Sequence, residues 1–442
     1  MRIAFRLGLL VLALPAYLLA QEKPPAEQTS PAPSTVPSRP TTGAPPSVRI
    51  TVDEALRLAL QHNHAVAAAR TTILQSQALE TTANLRPNPV LSWDAQFLPI
   101  FEPDKFTADY IDSQAQFDLG LAYTFEIGGK RQHRLRAAQD VTAATRSTVA
   151  DNERTLSFNV GQQFVAAVLA ASTVGFTQQD LESFQKSVDI SETRYKAGAI
   201  SEGDLLKIKL QMLQFQNDVL TAKLAKIQAL SALRQLLGFE SVRDEYDVEG
   251  KLEYVPVHAS LDDLKALALR TRPDLRAAEQ NVTAARSAVL LAEANRKRDL
   301  TTTFNYSHVA STNTGAFFFN IQLPVFDRNQ GEIARTRHVI TQNEQLAAET
   351  SQQVLTDVVN AYQNLRTSEQ IVELYEGGYV AQAIKSRDIS EYAYKRGAAS
   401  LLDYLDAERT YRANQLAYRQ ALAAYMTALE QTRQAAGTRN LP

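Results

Sequence analysis

The sequence predicts an α+β membrane protein built from two tandem structural repeats. Three observations carry that reading. First, one short stretch occurs twice, as Tyr195-Lys196-Ala197-Gly198-Ala199-Ile200-Ser201-Glu202-Gly203-Asp204 and as Tyr394-Lys395-Arg396-Gly397-Ala398-Ala399-Ser400-Leu401-Leu402-Asp403. Second, long helical patterns without proline precede both copies, over 131–196 and 332–396. Third, strands with one apolar and one polar side precede each long helix.

The repeated stretch reads as a tight turn between two helices. Gly198 and Gly397 end the incoming helix at a position that takes a left-handed backbone, which costs glycine nothing. Ser201 and Ser400 then cap the outgoing helix.

From the N-terminus, 1–20 reads as a secretory signal. Arg2 and Arg6 are followed by the apolar run 7–14 and by the small residue Ala20. Residues 21–48 are rich in Pro, Ser and Thr and read as a disordered linker. The first repeat is assigned to 49–240. Thr51, with Asp53 and Glu54 behind it, opens an interrupted helix that Arg86-Pro87-Asn88-Pro89 stops. In 91–97 the apolar residues are all odd-numbered. In 114–125, Ala115, Phe117, Leu119, Leu121, Tyr123 and Phe125 face one way, and Gln116, Asp118 and Gly120 the other. A strand of about ten residues suits a tilted membrane strand. The loop at 99–112 carries no helical expectation.

Glu126-Ile127-Gly128-Gly129-Lys130-Arg131 ends that strand. The helix over 131–196 spans roughly 100 Å at 1.5 Å per residue, and its return runs to Leu237. Residues 241–259 form a linking segment, with strand character expected in 248–256. The second repeat, 260–442, opens on Ser260-Leu261-Asp262-Asp263. Alternation returns over 301–308 and 317–325, where Pro324 is placed late in the strand. A second helix of roughly 100 Å has its weak point at Gly377-Gly378.

Composition narrows the class. The net charge is −2, so no basic excess points to nucleic acid. Cysteine is absent, which excludes disulfides, thiolate metal sites, cysteine catalysis and a lipidated N-terminal Cys. His62 and His64 lie on different faces of a helix and make a poor metal pair. No Gly-rich phosphate loop, zinc spacing or Ser–His–Asp setting is found, so no enzyme, cofactor or metal site is expected. After the signal, no stretch offers about twenty uninterrupted apolar residues. Four one-sided strands cannot close a membrane barrel, which needs at least eight, so several chains must share one.

The duplicated unit, its two strands per repeat and the paired Tyr-x-x-Gly-x-x-Ser-x-x-Asp tips resemble the TolC-type outer-membrane channel family over essentially all of 50–437. The resemblance implies a homotrimer: a twelve-stranded outer-membrane β-barrel continued by an α-helical barrel in the periplasm. It implies an exit duct for a tripartite efflux system, with a periplasmic adaptor at the tips and an inner-membrane transporter of the RND type behind it. Residues 126–131 resemble the heavy-metal cation-efflux branch. The resemblance places pore-constricting acids at Asp403 and Asp406, which spacing alone reads equally as solvated helix acids. It places adaptor docking at the tips, with Gly198, Ser201, Gly397 and Ser400. It places a closed-state lock at Asp204 and Tyr394, where a further family Arg is here Ala399. Type I protein secretion is the alternative within the family. A periplasmic coiled-coil adaptor is the alternative outside it, but that needs one hairpin and a compact β-rich region, and two hairpins are found.

Overall fold

The structure is a computed structural model and describes residues 48–441. The signal at 1–20 and the linker up to 47 lie outside the described residues. Val48, assigned to the linker, instead opens strand β1 (Val48–Ile50). β1 pairs in parallel with β4 (Tyr246–Val248). The strand character expected in 248–256 therefore sits slightly earlier.

The first repeat begins with α1 (Val52–His62) and α2 (His64–Asn84). Thr51 and Glu54 close a reciprocal capping box on α1. The break between the helices is Asn63, whose carboxamide caps α2 and donates to the Leu236 carbonyl at 2.9 Å. Strand β2 (Val90–Gln96) follows. The next loop contains a helix, α3 (Ala108–Ser113), which the sequence reading leaves out; Thr107 caps it. Strand β3 is Gln116–Phe125. The long hairpin is α4 (Lys130–Lys196) and α5 (Glu202–Leu237).

The second repeat copies the order: α6 (Leu261–Thr271), α7 (Pro273–Asn295), β5 (Leu300–Val309), β6 (Thr312–Ile321), α8 (Gln330–Leu374), α9 (Val380–Lys395) and α10 (Leu401–Ala436). β6 ends at Ile321, so Pro324 lies beyond the strand rather than late within it. α8 and α9 are joined by a π-helical segment, Tyr375–Tyr379, in which Gly378 has φ 130°. The second long helix is thus interrupted, at the Gly-Gly pair, where the first is continuous.

The four long strands form one antiparallel sheet in the order β2-β3-β5-β6. Its register sorts the side chains by face. Leu91, Leu121, Phe304 and Phe317 lie in one row, and Trp93, Leu119 and Tyr306 in the next. These side chains are exposed. On the other face, Asp118 and Gly120 are buried. There Gln116 donates to Asp118 at 2.7 Å, and Asn305 to Asp118 at 3.3 Å. One face is therefore apolar and uncovered, and the other is polar and hydrogen-bonded, as a barrel wall between lipid and water requires. β2 and β6 remain open edges.

The helices repeat that lateral order. α4 packs on α2 and α7, and α7 packs on α8; on the tip side α4 packs on α5 and α10, and α10 on α9. The core is divided among the repeats. Leu56, Val160, Phe164, Leu233 and Tyr246 form one buried cluster, and Leu264, Ala268, Val354 and Val358 form its counterpart in the second repeat. One eighteen-residue stretch of α4 is apolar enough to cross a membrane, and half of it is buried inside the protein. α4 supplies Leu156, Val160, Phe164, Ala167 and Val168 to the first core.

Candidate functional site

The two hairpin tips lie together at the end of α4, α5, α9 and α10. Both turns close in the same way. The Ala199 N–H donates to the Arg194 carbonyl and Gly198 N–H to that of Tyr195; Ala398 donates to Ala393 and Gly397 to Tyr394. This is the double bond of a Schellman turn. It requires a left-handed residue, and Gly198 and Gly397 have φ 72° and 76°. Ser201 accepts from the Asp204 N–H and Ser400 from the Asp403 N–H, so each outgoing helix is capped.

Those caps employ two of the nominated acids. The Ser400 hydroxyl and N–H donate to the Asp403 carboxylate at 2.7 and 3.2 Å. The Ser201 hydroxyl donates to Asp204 at 2.9 Å. Asp406 is free of such duty: it is exposed and, among the described residues, pairs only with Arg409, at 3.2 Å. Lys395 pairs with Glu391, whereas Lys196 and Tyr195 are exposed.

Tyr394 is buried and faces the first hairpin. Its hydroxyl is 2.8 Å from the Ser191 hydroxyl, and its ring stacks on Tyr404 at 5.3 Å. Arg194 lies over the same ring and donates to the Tyr394 carbonyl at 2.7 Å. Tyr404 in turn donates to Ser187 at 3.0 Å. The structure thus joins Tyr394 to Ser191, Arg194 and Tyr404. Asp204 is held instead by Ser201 and, at 3.8 Å, by Lys207. Phe184, Phe215, Ile208, Leu205 and Leu401 complete this apolar plug between the hairpins.

Behind the plug is a charged cluster that sequence reasoning missed. Arg412 on α10 reaches both helices of the first hairpin: Asp180 at 2.6 Å and Asp218 at 2.5 Å. The Asp180 contact is an ion pair without hydrogen-bond alignment. Glu408, one turn before Arg412, is 4% exposed, as is Asp180. Burial, with Asp180 alongside, pushes the Glu408 carboxyl up to about 8. Burial raises Asp180 as well, against the pull of Arg412. Arg387 from α9 lies 4.4 Å over the Tyr411 ring, and Arg412 lies 3.8 Å over Phe215. No spacing in the sequence could have joined these residues, because they come from four helices.

The strand-to-helix turn at 126–131 is built by its own residues. Glu126 pairs with Arg134 at 2.7 Å and Lys130 with Asp299 at 2.8 Å, while Gly128 and Gly129 both have positive φ. Asn329, with φ 58°, starts α8 as Gly129 starts α4. Among the described residues, no group of three His, Asp or Glu side chains is disposed to hold a metal ion within one chain.

A two-faced sheet with open edges, carried on helical hairpins with paired tips, defines a protomer of a shared outer-membrane channel. The chain matches the model of the outer membrane efflux protein family twice, over residues 55–239 and 264–438, and it belongs to that family. It is 25% identical over 393 residues to the cobalt-zinc-cadmium resistance protein CzcC of Cupriavidus metallidurans, covering 88% of each chain. It is 23% identical over 384 residues to the pyoverdine export outer membrane protein OpmQ of Pseudomonas aeruginosa, covering 82% of this chain and 80% of that one. The fold superposes on CusC with TM-score 0.72 at 20% identity, covering 89% and 93% of the two chains. It superposes equally on the open state of the Neisseria gonorrhoeae MtrE outer membrane channel, with TM-score 0.72 at 17% identity and coverage of 88% and 89%. The protein is therefore an outer-membrane efflux channel with the fold of the trimeric channels of this family.

Proposed function

We propose that three copies form one exit duct for heavy-metal cations, docked at its tips to a periplasmic adaptor and through it to an inner-membrane transporter of the RND type. The observation that carries the duct is the sheet, with its exposed apolar face, its polar face and its two open edges. Twelve strands from three chains exceed the minimum for a membrane barrel. The similarity to CzcC over 88% of the chain supports the choice of cargo.

Each site residue has a stated part in this reading. Gly198 and Gly397, with the caps Ser201 and Ser400, hold the surface that meets the adaptor. Asp406 and Asp403 from three copies line the constriction, Asp406 with a free carboxylate and Asp403 with one already engaged by its cap. Tyr394 holds the two hairpins of one chain together, and Asp204, whose carboxylate already accepts from its cap Ser201, completes the closed-state lock with a neighbouring hairpin. The signal at 1–20 is removed on export, the linker that follows it up to 47 is a tether, 241–259 links the repeats, and the repeats occupy 49–240, with Val48 of β1 ahead of the first, and 260–442.

Removing the gene from its host tests the cargo. The expected result is lower tolerance of cobalt, zinc and cadmium, restored by the wild-type chain. Unchanged metal tolerance together with sensitivity to organic toxicants would overturn the metal assignment.

A further inference from the structure

α5 carries an uncovered apolar seam. Leu206, Leu210, Leu213, Leu220, Leu224 and Ile227 are all more than half exposed, and they recur at alternating steps of four and three. That is the a/d spacing of a coiled coil. The one polar member of the row is Asn217, which is exposed.

The opposite edge of the chain carries a matching row. Along α8, the π segment and α9, the exposed Ile371, Leu374, Ala381, Lys385, Asp388 and Tyr392 follow the same steps. Ala381, Lys385, Asp388 and Tyr392 line an open groove there. The two rows lie on the outer helices of the four-helix order α5-α4-α10-α9. They sit on the same sides as the open strand edges β2 and β6. A ring that pairs β6 of one copy with β2 of the next therefore also sets α9 against α5. The two helices run antiparallel, since α5 leaves the tip and α9 approaches it.

A rotational ring fixes the register, because rotation about the barrel axis moves no residue along it. Heights can be read within one chain. Arg387 on α9 covers Tyr411, and the adjacent Arg412 reaches Asp218 on α5. Residues 387–388 and 217–218 are thus level to within about one helical turn, less than the ~10 Å of a heptad. At that level Asn217 faces Asp388, Leu213 faces Tyr392, Leu220 faces Lys385, and Leu224 faces Ala381. Shifting by one heptad would set Asn217 against Ala381 and bury its amide without a partner. The flanks of the α5 row carry Lys207, Lys209 and Lys223, and no acid; Asp388 and Glu391 stand on the other side, with Lys385 as the one cation of that row. Within their own chain Arg387 pairs with one Asp388 oxygen at 2.8 Å and Lys395 with Glu391, which leaves the second Asp388 oxygen to accept across the seam. Glu192 and Asp204 of the same chain already engage Lys209 and Lys207.

We infer that α5 and α9 of neighbouring copies form an antiparallel coiled-coil seam of the helical barrel, with register set by the Asn217 carboxamide donating to Asp388. A single polar residue in an apolar seam is the known device for fixing register. The inference rests on the ring assembly proposed above.

The chain has no cysteine, so introduced thiols report without background. Asn217→Cys with Asp388→Cys should form dimers and trimers on mild oxidation in outer membranes. Each single variant should stay monomeric on denaturing gels, and co-expressed single variants should stop at dimers. Asn217→Cys with Ala381→Cys, one heptad off, should cross-link weakly. Dominant cross-linking of that second pair would overturn the register. Heat-sensitive trimers with no cross-link from either pair would overturn the seam and free α5 for another partner. Loss of trimers in the cysteine-free parent would instead sink the channel assembly itself. If the thiol variants fail to assemble, Asn217→Asp decides: trimers should fall severalfold and recover with Asp388→Asn. No fall, or no recovery, would overturn the pairing.

Discussion

Glu408 makes folding stability depend on pH in a way that can be worked out from its surroundings. Asp180 from α4, Arg387 from α9 and Arg412 from α10 act on it directly; Asp218 from α5 holds Arg412, and Asp388, Glu391 and Tyr411 act on Arg387. Burial and Asp180 raise its carboxyl to about 8, whereas an unfolded Glu titrates near 4.3, an ordinary value of about that size. Between those values the folded chain keeps a proton that the unfolded chain releases. The stabilisation is complete below the unfolded value and is lost as pH rises through the folded one. Each unit in that window changes stability by up to about 1.4 kcal/mol, so the step from pH 6 to pH 8 costs on the order of 2 kcal/mol per chain. Glu408→Gln keeps the shape, holds the group neutral and relieves Asp180. Guanidinium midpoints of detergent-solubilised trimers, followed by helical circular dichroism, should fall from pH 6 to pH 8 in wild type and stay level in the variant. Equal slopes in both would refute the assignment of this pH dependence to Glu408.

Other substitutions test other levels of the account. Leu119→Arg on the apolar face should cost about 2–4 kcal/mol and block assembly, while Gln116→Arg on the polar face should cost much less; heat-sensitive trimer bands read both. Gly397→Val places a β-branched residue at φ 76°, which strains only the tip, so trimers should persist in the membrane while metal tolerance is lost. Millimolar divalent cations on the periplasmic side should block current through the pore, and Asp406→Ala should relieve most of that block. Asp403→Ala should also weaken the α10 cap by about 1 kcal/mol, so Asp403→Asn is the cleaner partner substitution. Tyr394→Phe removes only the bond to Ser191, worth about 0.5–1.5 kcal/mol, and should raise conductance while leaving cation block intact.

The parts of the fold legible in the sequence were those set by local chemistry. Gly198, Gly397, Ser201 and Ser400 announce the tips because a left-handed residue and an N-cap need particular side chains. The alternation from Ala115 to Phe125 announces a two-faced strand because the period is fixed at two. The helix at 108–113 was missed although Thr107 and Asp109 carry a capping signal; six residues are too few for a helical period to register. β1 was missed because its partner lies about two hundred positions away. Gly377-Gly378 marks a weak point, and the helix breaks there, in a π segment where Gly378 takes φ 130°. At the site, Tyr394 was visible as a tip residue. Its neighbours Ser191, Arg194 and Tyr404 were not, nor was the clamp of Arg412 on Asp180 and Asp218. Long-range charge pairs leave no spacing to read, because the helices that bring them together are set by the whole fold.

The central claim is that copies of this chain complete one water-filled pore across a lipid bilayer. Purified trimers added to a planar bilayer should give discrete current steps of one unit size, each step a single channel. Monomers obtained by heating the same preparation should give none. Stable trimers that insert without conducting, or current steps that persist after dissociation to monomers, would contradict the shared barrel.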